Sequence, residues 1–202
     1  MRRWTWTLAL LALSACGYNR IQTLDEQVNG YAGQIKVQLQ RRADLVPNLV
    51  ETVRGYAQQE TTIFTAVADA RARLGGAVQS GSLPDMAAAN QGLTGALGRL
   101  LAIQENYPQL KSNENFRSLQ DQLEGTENRI ATARGDYNGA VQTYNAYIRQ
   151  FPQMLTAKVL GKGPREYFEL TSAAAAEVPK VNFTQPGAAP AAPATPSGTT
   201  KR

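Results

Sequence analysis

The chain has 202 residues, of which 43% are hydrophobic and 18% charged, so it is long enough for one ordinary domain and a tail. Its formal charge of +5 arises from 21 basic and 16 acidic side chains, without the basic block typical of nucleic-acid binding. Histidine is absent and cysteine occurs once, which removes imidazole bases, Ser-His and Cys-His nucleophiles and the usual zinc ligands. We therefore predict no enzymatic activity, no catalytic residues, no metal site, no cofactor and no nucleic-acid partner.

The beginning of the chain has the pattern of a secretory signal. Two arginines precede an uncharged run rich in Leu and Ala, from Trp4 to Ala15, which is too short to cross a bilayer as a mature helix. The run ends in Leu13-Ser14-Ala15-Cys16, which resembles the bacterial lipobox. A buried packing cysteine is the alternative. We predict that residues 1–15 are removed and that the Cys16 thiol receives a diacylglyceryl group.

Lipidation at Cys16 predicts where the mature protein resides. One acyl chain holds a protein only marginally, so we expect several chains on the mature terminus. In Gram-negative lipoproteins, Asp after the cysteine usually retains the protein in the inner membrane, and this chain has Gly17 there. The prediction is the outer membrane, facing the periplasm. Without Arg2 and Arg3, 19 basic and 16 acidic side chains remain, a mild +3.

The longest helical pattern lies in the first half of the mature chain. Apolar residues recur every three or four positions from Ile21 to Leu74, with one polar interval, which predicts a long amphipathic helix. Pro47 removes a backbone donor, so a kink or break is expected near residues 43–47. Gly75-Gly76 is expected to end this helix.

Two further helices follow. Pro84 and Asp85 suit the first turn of a second helix, which is expected to stop near Asn106-Tyr107-Pro108. A third helix from Phe116 to Phe151 keeps the apolar rhythm for roughly ten turns before Pro152. Such a pattern needs a continuous apolar partner, which the first helix supplies.

The fold class is therefore all-α: an elongated antiparallel bundle of three to four helices over residues 16–183, with the first long helix kinked near Pro47. A short segment from Pro164 to Leu170, carrying Tyr167 and Phe168, is expected to dock back onto the bundle. Residues 184–202, rich in Ala and Pro, are predicted to form a disordered tail. The alternative for this tail is a segment that threads the wall or binds a partner.

A first polar segment surrounds Pro47 and contains Arg41, Arg42, Asp44, Asn48 and Glu51. Asp44 or Asn48 is expected to satisfy backbone donors freed by the proline, as a helix cap does, with Arg41 or Arg42 holding Asp44. Glu51 is expected to pair with Arg54 three residues away. The structural interpretation is a capped kink with ion pairs, and the functional one is a polar recognition surface.

A second polar segment lies in the third helix and contains Glu124, Gly125, Glu127, Asn128 and Arg129. Gly125 predicts a close helix crossing where a side chain would clash. Glu124, Glu127, Arg129 and Arg134 are candidates for pairing with charges of the first helix. A divalent cation between Glu124 and Glu127 has no support beyond the residue types, and two-carboxylate chemistry would need a cleft that the sequence does not indicate.

These polar segments resemble the LemA family. The run from Arg41 to Val53 matches its hallmark in the first helix, and Leu119 to Ile130 matches the second, continued by the pairs Tyr137-Asn138 and Tyr144-Asn145. Tyr167-Phe168 and Pro179-Lys180-Val181-Asn182-Phe183 are similar to its closing elements. The resemblance implies an antiparallel bundle, amino-terminal membrane attachment and no established activity or active-site residues. Many relatives carry an uncleaved transmembrane helix, from which the lipobox departs.

We predict a non-enzymatic adaptor or interaction protein, anchored in the membrane by lipid. The resemblance suggests an envelope partner such as a membrane metalloprotease or a TPM-domain protein, and oligomeric state is left open. The first alternative is a structural envelope or wall-associated protein that uses its basic charge and tail. The second is a carboxylate-based hydrolase that uses Asp44, Glu51, Glu124 or Glu127 in an enclosed pocket.

Overall fold

The structure is a computed structural model that describes the backbone of residues 2–168 and the side chains of residues 17–168. This part of the chain contains no β-strand, which confirms the all-α prediction. The Cys16 side chain, the signal side chains, the closing element at 179–183 and the tail lie outside the described residues. The helices are α1 (Arg2–Arg54), α2 (Thr61–Ser80), α3 (Leu83–Ala102), a 3₁₀ turn (Ile103–Glu105), α4 (Pro108–Lys111), α5 (Glu114–Ile148) and α6 (Gln153–Val159).

The two longest helices, α1 and α5, pack side by side and antiparallel. Near the end of α1 the hydroxyl of Tyr56 accepts a hydrogen bond of 2.8 Å from Asn113, which precedes α5. Further back along α1, Arg42 meets Glu127, which lies further forward along α5. Contacts that descend one helix as they ascend the other require antiparallel packing. The predicted pairing of the first and third helical patterns is confirmed.

The boundary between α1 and α2 differs from the prediction. The first helix ends at Arg54, and a turn separates it from Thr61, so the apolar rhythm through residue 74 covers two helices. Gly55 gives a signal for this end, because glycine is common just past the last helical residue. Gly75-Gly76 ends nothing: α2 continues to Ser80, and Gly81 with φ of 76° closes it in the left-handed region.

The entry into α3 follows the prediction. Ser82 is the N-cap, and its hydroxyl accepts a hydrogen bond of 3.3 Å from the backbone N–H of Asp85. Pro84 occupies the first turn, where a missing N–H costs nothing. With α2, this helix forms an antiparallel hairpin, and α2 packs against α1.

Pro47 does not interrupt α1, which is helical on both sides of it. Proline leaves the carbonyl four residues earlier without its helical donor. That carbonyl belongs to Ala43, and Arg71 of α2 donates to it from Nε at 2.9 Å. The prediction that Asp44 or Asn48 would satisfy freed backbone donors is wrong, because the group left by the proline is an acceptor and its donor comes from a different helix.

Apolar side chains at three- and four-residue spacing fill the core. Tyr144 and Phe116 of α5 are fully buried. The fully buried residues of α1 include Ile21, Ile35, Leu39 and Leu49. Truncating one such side chain to Ala typically costs about 2–5 kcal/mol. Phe151, which the α5 pattern assigned to the core, is instead 78% exposed, because the helix ends at Ile148.

The chain after α5 returns to the bundle. Helix α6, which was not predicted, packs its Ala157 against the core. Residues 162–168, which we name the strap, then run back along α5 without regular secondary structure. Phe168 is buried, which confirms the predicted docking, whereas Tyr167 is 44% exposed.

Candidate functional site

The first polar segment contributes one buried side chain, Arg42 of α1. Its Nη1 donates a hydrogen bond of 2.6 Å to Oδ1 of Asn90 in α3 and forms an ion pair with Glu127 of α5. The side chain of Arg42 is 6% exposed and that of Glu127 43%. These three residues, which we name the Arg42 cluster, connect three helices at one level of the bundle.

The electrostatics of the Arg42 cluster favour a charged pair. Burial lowers the pKa of Arg42 and the charge of Glu127 raises it again, and an arginine remains protonated in proteins. A buried cation without its carboxylate would be costly, so Glu127 is required where Arg42 lies. Arg42 does not hold Asp44 as predicted: Asp44 instead accepts a hydrogen bond of 2.8 Å from Gln40.

The other polar residues of this segment face outward. Arg41, Asp44, Asn48 and Glu51 are all exposed, and their steps of three, four and three residues place them on one side of α1. We name them the α1 stripe. Arg54 donates to Glu51 at 3.0 Å, as predicted. The α1 stripe is therefore the polar, solvent-facing side of a helix whose other side packs in the core.

The second polar segment also divides into one residue that joins helices and others that face solvent. Glu127 belongs to the Arg42 cluster, while Glu124, Asn128 and Arg129 are exposed. Gly125 does not lie at a helix crossing: a Cβ there would meet only the guanidinium of Arg129, at 3.6 Å, in ordinary contact. The prediction of a close crossing at Gly125 is wrong.

The carboxylates that a hydrolase would use do not form an enclosed pair. Asp44, Glu51 and Glu124 are exposed, and Glu127 is ion-paired with Arg42. Glu124 and Glu127 line an open cleft of about 490 Å³ between α3 and α5, beside the buried arginine. Among residues 17–168, no three acidic or thiol side chains come together in a way that would hold a metal ion.

A second connection lies at the other end of α1, where Asp25 is 8% exposed. Lys162 donates to it at 2.6 Å, and Arg165 donates from Nη2 at 2.7 Å. We name this group the Asp25 clamp. Burial acts to raise the pKa of Asp25, but the hydrogen bonds and charges of Lys162 and Arg165 outweigh it and lower the pKa. The clamp ties the strap to α1.

Side-chain amides of α5 hold the backbone of the strap. Asn145 accepts from the N–H of Arg165 at 2.8 Å and donates to its carbonyl at 2.9 Å. Asn138 makes the same pair of bonds with Phe168, at 2.8 and 3.2 Å. Each asparagine therefore pairs with both the backbone N–H and the backbone carbonyl of one strap residue, as an adjacent strand in a β-sheet would.

The distance between the two asparagines along α5 matches the distance between the two strap residues that they bind. Seven helical residues rise about 10.5 Å, and three residues of extended chain span about 10 Å, so both amides meet backbone groups three residues apart. The tyrosines that precede them add hydroxyl donors: Tyr137 to the carbonyl of Glu166 at 2.9 Å, and Tyr144 to that of Gly163 at 3.2 Å. Burial raises the pKa of both tyrosines, so they remain donors.

Sequence reasoning missed this function of the Tyr-Asn pairs. Their repetition after seven residues was visible, and two amides on one helix face are a signal for binding an extended segment. Arg134 of α5 also packs over Phe168 of the strap, with its guanidinium 5.1 Å from the ring centre. Neither Asp25 nor Asn90 was singled out, because a lone polar residue on an apolar face has no visible partner.

Long antiparallel helices tied by polar cross-links define the class of protein, an all-α helical bundle. The sequence profile of the LemA family matches residues 31–183. The chain belongs to the LemA family. Magnetosome proteins MamQ 1 and MamQ 2 of Paramagnetospirillum magneticum are each 31% identical to it, over 80% of this chain and 68% of their own. Magnetosome protein MamQ of Magnetospirillum gryphiswaldense is 29% identical, over 75% of this chain and 64% of its own.

Neither the family description nor the names of these relatives state a catalytic activity. In the part of the chain that the structure describes, none of the helices has both the length and the apolar character needed to cross a membrane.

Proposed function

We propose that the chain is a lipid-anchored envelope protein that acts as a non-enzymatic adaptor. In this proposal Cys16 carries the lipid, and the mature protein is attached to the outer membrane and faces the periplasm. The bundle presents the α1 stripe to an envelope partner. A membrane metalloprotease or a TPM-domain protein is the partner class that the family resemblance suggests.

The observation that carries the adaptor proposal is the division of the family-matching segment into two sets. Arg42 points inward and connects three helices, while Arg41, Asp44, Asn48 and Glu51 point outward. Side-chain bonds of Asp44 and Glu51 are to neighbours on the same helix, which a partner could replace at little cost. A rigid helix with an ordered polar face suits recognition, because little entropy is lost on binding.

Membrane attachment is supported by two independent features. The start of the chain has the charge, run length and cysteine of a lipoprotein signal. The relatives are named as proteins of the magnetosome, which supports association with a cellular membrane structure.

The anchor is tested by the mass of the mature amino terminus. We expect a terminus at Cys16 with a diacylglyceryl group and an added acyl chain, and release of Cys16→Ser from the membrane fraction or failure of its processing. An unmodified cysteine in a processed or unprocessed chain would contradict the lipoprotein proposal.

The adaptor function is tested by crosslinking in intact cells, followed by purification of the chain. We expect one reproducible envelope partner, lost when the stripe is altered by Arg41→Glu with Asp44→Lys. The matched control is Asp69→Lys with Arg73→Glu, which makes the same charge exchange on the exposed side of α2. Equal recovery from both variants, or the absence of any partner, would contradict a binding function of the stripe.

A further inference from the structure

The outward face of α6 is apolar, in contrast to the other helices. Residues 17–168 expose eight large apolar side chains, and four of them fall within residues 151–159. They are Phe151, Met154, Leu155 and Val159, and the exposed fractions reach 78% and 87% for Phe151 and Val159. A cluster of this kind on a soluble domain marks a contact surface.

The spacing places this cluster on one side of the helix. Within α6, Met154, Leu155 and Val159 lie on one side at helical spacing, Phe151 lies just before the helix begins, and Ala157 on the other side is buried. The apolar side therefore faces away from the bundle, and it is not an interrupted part of the core. We name it the α6 face.

Helix α6, on the side opposite the α6 face, lies against α1 at Gly17. Gly17 is buried against α6, and a Cβ at Gly17 would lie 3.4 Å from Cγ of Gln153. Gly17 immediately follows Cys16, so α6 packs next to the proposed lipid attachment. Tyr18, one position further on, is 44% exposed.

The charged residues within α6 and immediately beside it in sequence are of one sign. From Arg149 to Arg165 the chain has four basic residues and no acidic one. Lys162 and Arg165 are occupied by Asp25, which leaves Arg149 and Lys158 exposed beside the apolar side chains. Apolar side chains flanked by cations suit the interface of a bilayer that contains anionic lipids.

We propose that the α6 face inserts into the lipid headgroup region and forms a second membrane contact beside the amino-terminal anchor. Gly17 of α1 packs against α6, and the Asp25 clamp fixes the strap that follows α6 to the same helix, so the bundle is attached at two points and has a defined orientation on the membrane. This inference rests on the proposed membrane anchor, because the position of Cys16 is what brings the face to the bilayer.

Depth-dependent quenching tests the contact in the full chain, reconstituted into vesicles that contain anionic lipid. A fluorophore is attached to Leu155→Cys or Val159→Cys, and quenching by spin-labelled lipids is measured. The matched control is Gln58→Cys, exposed in the turn after α1 at the opposite end of the bundle. The parent chain reports any labelling of Cys16. We expect strong quenching at 155 and 159 and none at 58, and equal quenching at all three sites would overturn the proposal.

A functional variant gives a second measure. Leu155→Glu with Val159→Glu adds charge to the α6 face, and transfer of the protein between vesicles should become about tenfold faster or more. Val37→Glu with Gln58→Glu places the same charges at exposed positions away from this face and should change transfer by less than about twofold. Unchanged transfer of the α6 variant would overturn the proposal.

The outcomes separate this inference from the proposed anchor. Quenching at 155 and 159 with an unmodified Cys16 would support the membrane contact and contradict the lipoprotein proposal. A lipidated Cys16 without quenching would contradict the membrane contact alone. Protection of position 155 in native membranes, without quenching in vesicles, would mean that a protein covers the face and would also overturn the proposal.

Discussion

The Arg42 cluster and the Asp25 clamp both join segments that are distant in sequence, but they bury charges of opposite sign. In the cluster the buried group is a cation, 6% exposed, with a carboxylate that is 43% exposed. In the clamp it is a carboxylate, 8% exposed, with cations that are 31% and 40% exposed. If the exposed partner is removed, the buried charge stays buried without its counter-charge. If the buried group is removed, its exposed partner can return to water. Loss of the exposed partner should therefore reduce stability more than loss of the buried group.

The largest effect is expected from Glu127→Ala, which leaves the Arg42 cation buried with one amide. We expect the free energy of unfolding to fall by about 3–5 kcal/mol. Arg42→Met should cost less, about 2 kcal/mol, since Glu127 can be solvated and the remaining loss is the pairing of Asn90. Urea denaturation measures both variants.

Two further variants test whether the unpaired charge of Arg42 causes the loss of stability. The double variant Arg42→Met with Glu127→Ala should be more stable than Glu127→Ala alone, because no buried charge remains. Glu124→Ala, which alters an exposed carboxylate one turn away, should change stability by less than about 0.5 kcal/mol. A Glu127→Ala variant more stable than Arg42→Met would refute the proposed dependence on the exposed partner.

The clamp should respond more locally. Asp25→Asn removes the charge that holds Lys162 and Arg165, and we expect a loss of about 2 kcal/mol that falls mainly on the strap. Trypsin should then cut after residues 162 and 165 faster than in the parent chain, while α1 and α5 stay intact. Glu26→Gln is the control on the neighbouring exposed carboxylate. Equal cleavage of all three proteins would show that the contacts with α5 hold the strap without the clamp.

The pH dependence follows from the lowered pKa of Asp25. A carboxyl group whose folded pKa lies below its unfolded value of about 3.8 stabilises the fold fully above that value. The contribution is lost as the pH falls through the folded pKa. The stability difference between the parent chain and Asp25→Asn should therefore be constant at neutral pH and shrink below about pH 4. A difference that shrinks between pH 5 and 7 would assign the effect to another group.

The smallest expected effect concerns the backbone carbonyl of Ala43 in α1, an uncharged acceptor. Arg71→Ala removes the donor from the Ala43 carbonyl and should cost about 1 kcal/mol. In a Pro47→Ala background the helix supplies its own donor, so the same substitution should cost less. A double-mutant cycle by urea denaturation measures this coupling. Additive effects would mean that Arg71 stabilises α1 by packing and not by compensating the proline.

Local patterns predicted several elements well. The Ser-x-Pro-Asp entry of α3 and the unbroken rhythm of α5 required only capping and periodicity, which act within a few residues. The break after Arg54 was missed because apolar spacing continued across the turn from Val53 to Phe64. Gly75-Gly76 did not end α2, since burial of Leu74 and Ala77 on either side outweighs the local cost of glycine.

The candidate site was less predictable. Pairing of Glu51 with Arg54 was read correctly because both residues lie on one helix face. The partners of Arg42, Asp25 and the carbonyl of Ala43 lie on other helices or on the strap, 28 to 140 residues away. No local rule connects residues so far apart, so the sequence could name polar groups that need partners and not the partners themselves.

The sequence by itself determined the helical class, the antiparallel pairing of the two long apolar patterns and the family, because these depend on periodicity and on contiguous motifs. Tertiary structure decided which motif residues connect helices and which face solvent, and it decided that a seven-residue repeat of asparagines binds the strap. The physical reason is that a buried polar group needs a partner in space. Its position along the chain does not specify which segment the fold brings beside it.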